Sequence, residues 1–165
     1  MNILLINPPH PSIGSRIPDE HLPPLGLLSI GGPLLDAGHR VQLLDADLAP
    51  IPIDKIVKRV VLLVPDAILL GHSGSTSAHP IVAKLTRAIR KSLPQVWIIY
   101  GGVFPTFHWR DILDKETQID IIVRGEGEEI TRNLIRALEI GTPLDKVLGI
   151  AYRNYGFISC RLGTH

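Results

Sequence analysis

Four short segments carry the residues that could do chemistry. They are Asn7-Pro8-Pro9-His10-Pro11, Gly71-His72-Ser73-Gly74-Ser75-Thr76-Ser77, Tyr100-Gly101-Gly102-Val103-Phe104-Pro105-Thr106 and Arg124-Gly125-Glu126-Gly127-Glu128. Each follows a short apolar run. They are small and rich in glycine, hydroxyls or proline, and they carry few charges. Serine and threonine hydroxyls donate or accept hydrogen bonds and so suit neutral amides. Glycine has no Cβ, so a backbone or a ligand can approach it at contact distance. Together the segments suit a large flat ligand with many amides and a long tail. Ser73, Gly74, Ser75, Thr76, Gly101, Gly102, Pro105 and Thr106 would shape its rim and slot, with Pro9, Gly125, Glu126 and Gly127 beside them. Small polar residues are also ordinary turn formers, so the weight rests on several loops agreeing at once.

Other chemistries leave marks that are missing here. A dinucleotide site needs G-x-G-x-x-G after the first strand, where this sequence has Asn7-Pro8-Pro9-His10. Without that glycine loop, Asp45 carries little weight as a ribose-binding acid. There is no P-loop, and the first strand ends in Asn7 and the third in His72-Ser73, so no aspartate is placed there to be phosphorylated. His72, His79 and His108 match no zinc spacing. His72 reads first as a hydrogen-bonded loop residue. Glu128 reads as an acid opposing a helix dipole, whereas Glu126, between two glycines, could accept from a ribose hydroxyl or an amide. Phe104 and Trp109 read as packing residues that could border a flat ligand.

The elements that must position these loops follow from the apolar pattern. Short runs recur at 3–6, 41–44, 67–70, 97–100, 119–123 and 149–152, without in-out alternation, as in strands covered on both faces. Between them lie helical stripes. Ile81, Val82, Leu85, Ala88 and Ile89 share one face, and Ile130, Leu134, Ile135 and Leu138 another. Asp54 is placed to cap a helix carrying Ile56, Val57, Val60 and Val61, which Pro65 stops. A first helix runs from Pro24 to Gly38, and Gly31-Gly32-Pro33 inside it should bend or break it. Strand and helix alternating at this spacing predict an α/β fold, a doubly wound, mostly parallel sheet with helices on both faces. Loops after parallel strands gather on one edge, where ligands bind in such sheets.

Composition sets the outer bounds. The 165 residues suffice for one domain with a real core. With 45% hydrophobic and 20% charged residues and a net charge of +1, there is no basic face for nucleic acid. The single cysteine, Cys160, allows no disulfide within the chain and no cysteine-only metal site. A strand begins directly after Met1, which leaves no room for a signal peptide. No apolar run reaches membrane-span length. The cytoplasm is the expected location.

In order and spacing the segments resemble a known family, the N-terminal cobalamin-binding domain of cobalamin-dependent radical S-adenosylmethionine enzymes. The resemblance is carried by Asn2-Ile3-Leu4-Leu5-Ile6-Asn7-Pro8-Pro9, Pro24-Leu25-Gly26-Leu27-Leu28, Gly38-His39, the double glycine with Pro105-Thr106, and Arg124-Gly125-Glu126-Gly127-Glu128. It runs from Asn2 to about Tyr152. Within the family the wording, including His72-Ser73-Gly74-Ser75-Thr76, looks most like the anaerobic magnesium-protoporphyrin IX monomethyl ester oxidative cyclases, which form the fifth ring of chlorophylls without oxygen.

The resemblance implies a Rossmann-like fold, cobalamin as cofactor and a radical catalytic domain as partner, with a tetrapyrrole substrate in the cyclase case. The family's C-x-x-x-C-x-x-C motif, which holds a [4Fe–4S] cluster beside S-adenosylmethionine, cannot be formed with one cysteine. The sequence is therefore expected to be either a domain whose catalytic part, a cyclase or methyltransferase, lies elsewhere, or a stand-alone relative. Residues 1–153 would form the cobalamin-binding domain and 154–165 a tail leading into a linker. The D-x-H-x-x-G loop of the mutase type, whose histidine ligates cobalt, does not match Asn7-Pro8-Pro9-His10-Pro11-Ser12-Ile13-Gly14, so no residue here is expected on the metal. A second reading stays open: a non-catalytic, flavodoxin-like binding or sensing module for a nucleotide or a tetrapyrrole.

Overall fold

Buried apolar runs that alternate with amphipathic segments leave few ways to cover both faces of a sheet. The computed structural model describes residues 1–9, 23–48, 51–72, 78–154 and 156–161. Its elements run β1 (Asn2–Asn7), α1 (Leu25–Asp36), β2 (Arg40–Asp45), α2 (Ile53–Leu63), β3 (Ala67–Leu70), α3 (His79–Ser92), β4 (Trp97–Gly101), α4 (Val103–Lys115), β5 (Ile121–Val123), α5 (Gly127–Ile140), β6 (Ile150–Asn154) and β7 (Phe157–Cys160). The described strands form one sheet in the order β2-β1-β3-β4-β5-β6-β7. β1 to β5 are parallel, and β6 and β7 run antiparallel at the end.

The register sorts side chains onto two faces. Leu5, Leu69, Ile99 and Ile121 pair in one row, and Ile6, Leu70, Tyr100 and Ile122 in the next. The first row packs with Leu27 and Leu34 of α1 and Leu134 and Ile135 of α5. The second packs with Ile56 and Val60 of α2, Val82, Leu85 and Ile89 of α3, and Ile112 and Leu113 of α4. The chain steps outward from β1 to β2, then back across to β3, so the strand order reverses between β1 and β3. Ligands in such sheets bind outside the carboxyl ends of the strands at this reversal.

Several sequence expectations are corrected. α1 is continuous through Gly31-Gly32-Pro33. The small Gly31 lets the helix lie against β1, where a Cβ would stand 3.0 Å from Leu5. α2 begins after Pro52 and has no side-chain cap; Asp54 sits in its first turn instead, where a carboxylate favours the helix dipole. β2 is an edge strand and largely exposed rather than covered on both faces. α4 and β7 carry no clear sequence signal. α4 departs from helical geometry at His108, and β7 is a four-residue edge strand. Among the described residues no helix is long and apolar enough to cross a membrane.

Gly149, just before β6, has φ +78°, and a Cβ there would run into the Ile130 side chain of α5. Backbone strain and overpacking add at this position. Gly149→Ala should cost about 2–4 kcal/mol. Gly32, exposed inside α1 with open space around it, is the opposite case, and Gly32→Ala should stabilise by about 0.5–1 kcal/mol. Urea midpoints at unchanged slope check both. A Gly149→Ala midpoint equal to the parent would contradict the packing of α5 on this turn.

Candidate functional site

The carboxyl ends of β3, β4 and β5 meet the first turns of α1 and α5 around a cleft of about 710 Å³. That volume lies within the range of small-molecule and cofactor sites. Each strand stops where its apolar run stops. β3 gives way to Gly71 and His72, β4 ends at Gly101 before Gly102, and β5 is followed by Arg124 and Gly125. Gly102 (φ +116°) and Gly125 (φ +83°) hold backbone conformations that side-chain-bearing residues rarely adopt. They turn the chain directly into α4 and, through Glu126, into α5.

The cleft owes its shape to glycines facing α1. A Cβ on Gly71 would lie 3.1 Å from Leu27 Cδ2, and one on Gly127 would lie 3.0 Å from Ile30 Cδ1. Leu27, Ile30, Leu69, Ile99 and Val123 supply apolar walls. Ser29, His72, Glu126, Glu128 and Thr131 supply the polar lining. The Ser29 hydroxyl and the residue's own backbone N–H hold the Glu128 carboxyl below the usual carboxylate range. A carboxylate held that way accepts hydrogen bonds well and takes a proton poorly.

A set of ties at and behind the lining fixes the loops. The Thr106 hydroxyl donates to Gly102 O (2.8 Å) and accepts from Gly125 N (3.2 Å), linking the turns after β4 and β5. His72 Nε2 lies 2.7 Å from the Tyr100 hydroxyl. Burial raises the pKa of Tyr100 well above the usual phenol value, so the hydroxyl keeps its proton. His79 stacks on Tyr100 and meets Phe104 at a tilt, and Phe104 stacks on His108. Burial lowers the His79 pKa, against the opposing pull of Glu116. Among the described residues no group of three could hold a metal ion. Asp45 accepts from Asn7 Nδ2 (2.9 Å) and from the Asp47 backbone (3.2 Å) at the end of β2.

Of the residues singled out from sequence, Gly101, Gly102, Gly125, Glu126 and Gly127 line the cleft. Pro105 and Thr106 do not. They form the first turn of α4, Pro105 buried and Thr106 tying the loops from behind. Pro9 stands after β1, outside the lining. Ser73, Gly74, Ser75, Thr76 and His10 lie outside the described residues. The α1 wall was missed as a site, although Pro24-Leu25-Gly26-Leu27 stood in the sequence as a marker without a role. Phe104 and Trp109 pack against the core on the α2–α4 face.

Comparison with known proteins identifies the family and the fold. A family model described as the B12 binding domain matches residues 18–135. Over 153 residues the chain is 64% identical to the anaerobic magnesium-protoporphyrin IX monomethyl ester cyclase of Synechocystis sp., covering 93% of this chain and 31% of that protein. It is 33% identical over 162 residues to an uncharacterized methyltransferase of Pyrococcus horikoshii, covering 94% of this chain and 33% of that one. It thus spans about a third of the length of these curated relatives. Among solved structures, the radical S-adenosylmethionine methyltransferase TsrM from Kitasatospora setae, with cobalamin and a [4Fe-4S] cluster bound, superposes with a TM-score of 0.80 at 16% identity. The match covers 99% of this chain and 30% of that one. The cobalamin-dependent S-adenosylmethionine radical enzyme OxsB, with aqua-cobalamin and S-adenosylmethionine bound, gives 0.77 at 24% identity, covering 99% and 22%. These likenesses show the fold to be that of the corresponding part of both enzymes. The matched segment takes in all of α1 and most of α5, hence both helical walls of the cleft, and the chain belongs to the B12-binding domain family.

Proposed function

We propose that this chain holds cobalamin for a radical S-adenosylmethionine enzyme of the anaerobic cyclase type, acting on magnesium-protoporphyrin IX monomethyl ester. The observation that carries the reading is the 64% identity to the Synechocystis cyclase, maintained over 93% of the chain. The cleft supports this reading. Gly71 and Gly127 form a cradle that a Cβ would fill, and the apolar walls with a carboxylate-lined mouth suit a flat, neutral base attached to polar groups. Leu27, Ile30, Ile99 and Val123 would enclose the base. Glu126 and Glu128 would accept from hydroxyl or amide groups at the mouth, and Ser73, Gly74, Ser75 and Thr76 would meet the corrin rim. When bound, cobalamin supplies a cobalt centre that changes oxidation state or carries an alkyl group. The [4Fe–4S] cluster, S-adenosylmethionine and the tetrapyrrole would sit on a catalytic part that provides the three cysteines this sequence lacks.

The test is a titration of the purified chain with cob(II)alamin, followed by electron paramagnetic resonance. Stoichiometric binding is expected. The cobalt lines should be free of nitrogen splitting, because a base enclosed in the cleft is off the metal and His72 Nε2 is engaged by Tyr100. Nitrogen triplets lost in His72→Ala would instead make His72 the ligand. Failure of both this chain and the full-length protein to bind would leave the flavodoxin-like binding or sensing module as the better reading. Loss of cyclase activity in a full-length protein stripped of cobalamin, and its return on reloading, checks the enzyme assignment.

A further inference from the structure

Arg124 lines no part of the cleft, yet it joins the turn after β5 to α4, to the turn before β6 and to β7. Its backbone N–H donates to Gly149 O (2.8 Å), before β6. Its Nε donates to Thr106 O (3.2 Å), in the first turn of α4. Its Nη1 donates to Cys160 Sγ (2.7 Å), on β7. The guanidinium carbon stands 5.2 Å from the Trp109 ring centroid, with Arg110 5.1 Å from the same ring.

These partners are unusual for a structural arginine in this protein. Arg87 and Arg90 each close on a carboxylate, Glu116 and Asp120. Among the described residues Arg124 pairs with none. Its charge meets a carbonyl, a thiol and an aromatic face. What that arrangement offers is geometry. A planar guanidinium donates in fixed, divergent directions, so one side chain sets the spacing between α4 and the β6–β7 hairpin. The next residue, Gly125, lines the cleft and donates to the hydroxyl of the same Thr106 whose carbonyl Arg124 holds. That hydroxyl in turn holds Gly102, the other lining turn.

We propose that Arg124 is the positioning residue of the cofactor cleft: it clamps Thr106 and Cys160 together and thereby fixes the separation of the Gly102 and Gly125 turns. The inference rests on the cobalamin reading for its functional consequence but not for its geometry. Lysine keeps the charge, but its ammonium on a flexible stem lacks the rigid planar fork that sets the donors to Thr106 O and Cys160 Sγ at a fixed separation.

The experiment compares Arg124→Lys and Cys160→Ala with the parent chain, using cob(II)alamin titration, thermal unfolding and amide hydrogen exchange. Arg124→Lys should bind cobalamin about tenfold more weakly. Exchange at the Gly125 amide should quicken about tenfold or more, while amides of β1 and β3 keep the parent rates. Cys160→Ala removes one arm of the clamp and should shift both readouts the same way by a smaller factor. If Arg124→Lys fails to fold, Cys160→Ala decides the matter. Parent-like affinity and Gly125 exchange in the variants overturns the proposal, as does exchange that quickens evenly across the sheet, the mark of a merely stabilising residue. If the parent itself takes no cobalamin while Gly125 exchange still depends on Arg124 and Cys160, the clamp stands and the ligand reading falls.

Discussion

Gly71→Leu should leave the chain folded and reduce its affinity for cobalamin by at least about a hundredfold. Gly71 follows β3, holds ordinary backbone angles, and donates to Ile6 O at 3.3 Å. A side chain there meets no conformational barrier. It meets Leu27, whose Cδ2 would be 3.1 Å from the new Cβ, with Gly101 O at 3.8 Å beyond. A leucine can extend only into the cleft or displace Leu27 into it, and in either case the space between sheet and α1 is filled. Because that space is open before the change, the cost to folding should stay near about 1 kcal/mol, the low end for overpacking. Titration and unfolding midpoints separate the two effects. Parent-like affinity in a folded Gly71→Leu chain would place the ligand outside this cleft.

The contrast between Gly71 and the α1 wall shows what the sequence made legible. Strand ends can be read, because a buried run such as Ile98-Ile99-Tyr100 stops at glycine for a local reason, and parallel strands bring such ends to one edge. Gly101, Gly102, Gly125, Glu126 and Gly127, singled out in this way, line the cleft. Leu27 and Ile30 were not, because they look like any apolar helix face. Only the strand order, with α1 and α5 on the same side of the sheet, brings Ile30 against Gly127.

Thr106 shows a different limit. Its type and place suggested ligand contact, but in the first turn of α4 its hydroxyl finds Gly102 O and the Gly125 amide instead. A hydroxyl near backbone groups satisfies them first, and the sequence cannot say which are near. α1 misled for a related reason. Gly31-Gly32-Pro33 weakens an isolated helix, but packing against Leu5 and Val41 overrides that local preference. The short β7 owes its place to its pairing with β6, a partner no local pattern in Phe157-Ile158-Ser159-Cys160 announces.

Gly102→Val should abolish cobalamin binding for a reason other than lost space. A Cβ at Gly102 would have room, with His72 O the nearest atom at 3.6 Å. The backbone is the obstacle. At φ +116°, ψ −174° the residue sits where essentially only glycine is stable, and a β-branched side chain there is strained by about 1–3 kcal/mol or more. The chain can relieve that strain only by rotating the turn. Gly102 O would then leave both the Thr106 amide (3.1 Å) and the Thr106 hydroxyl. The Gly125 amide loses its tethered acceptor in consequence, so both lining turns move together. Helix content should persist, since the sheet and its two cores lie away from the turn. Gly102→Ala is the decisive companion. If strain is the cause, alanine should lose nearly as much affinity as valine, because the conformation excludes any Cβ. If alanine binds like the parent and only valine fails, the limit at this turn is space, and the strained-turn account is wrong.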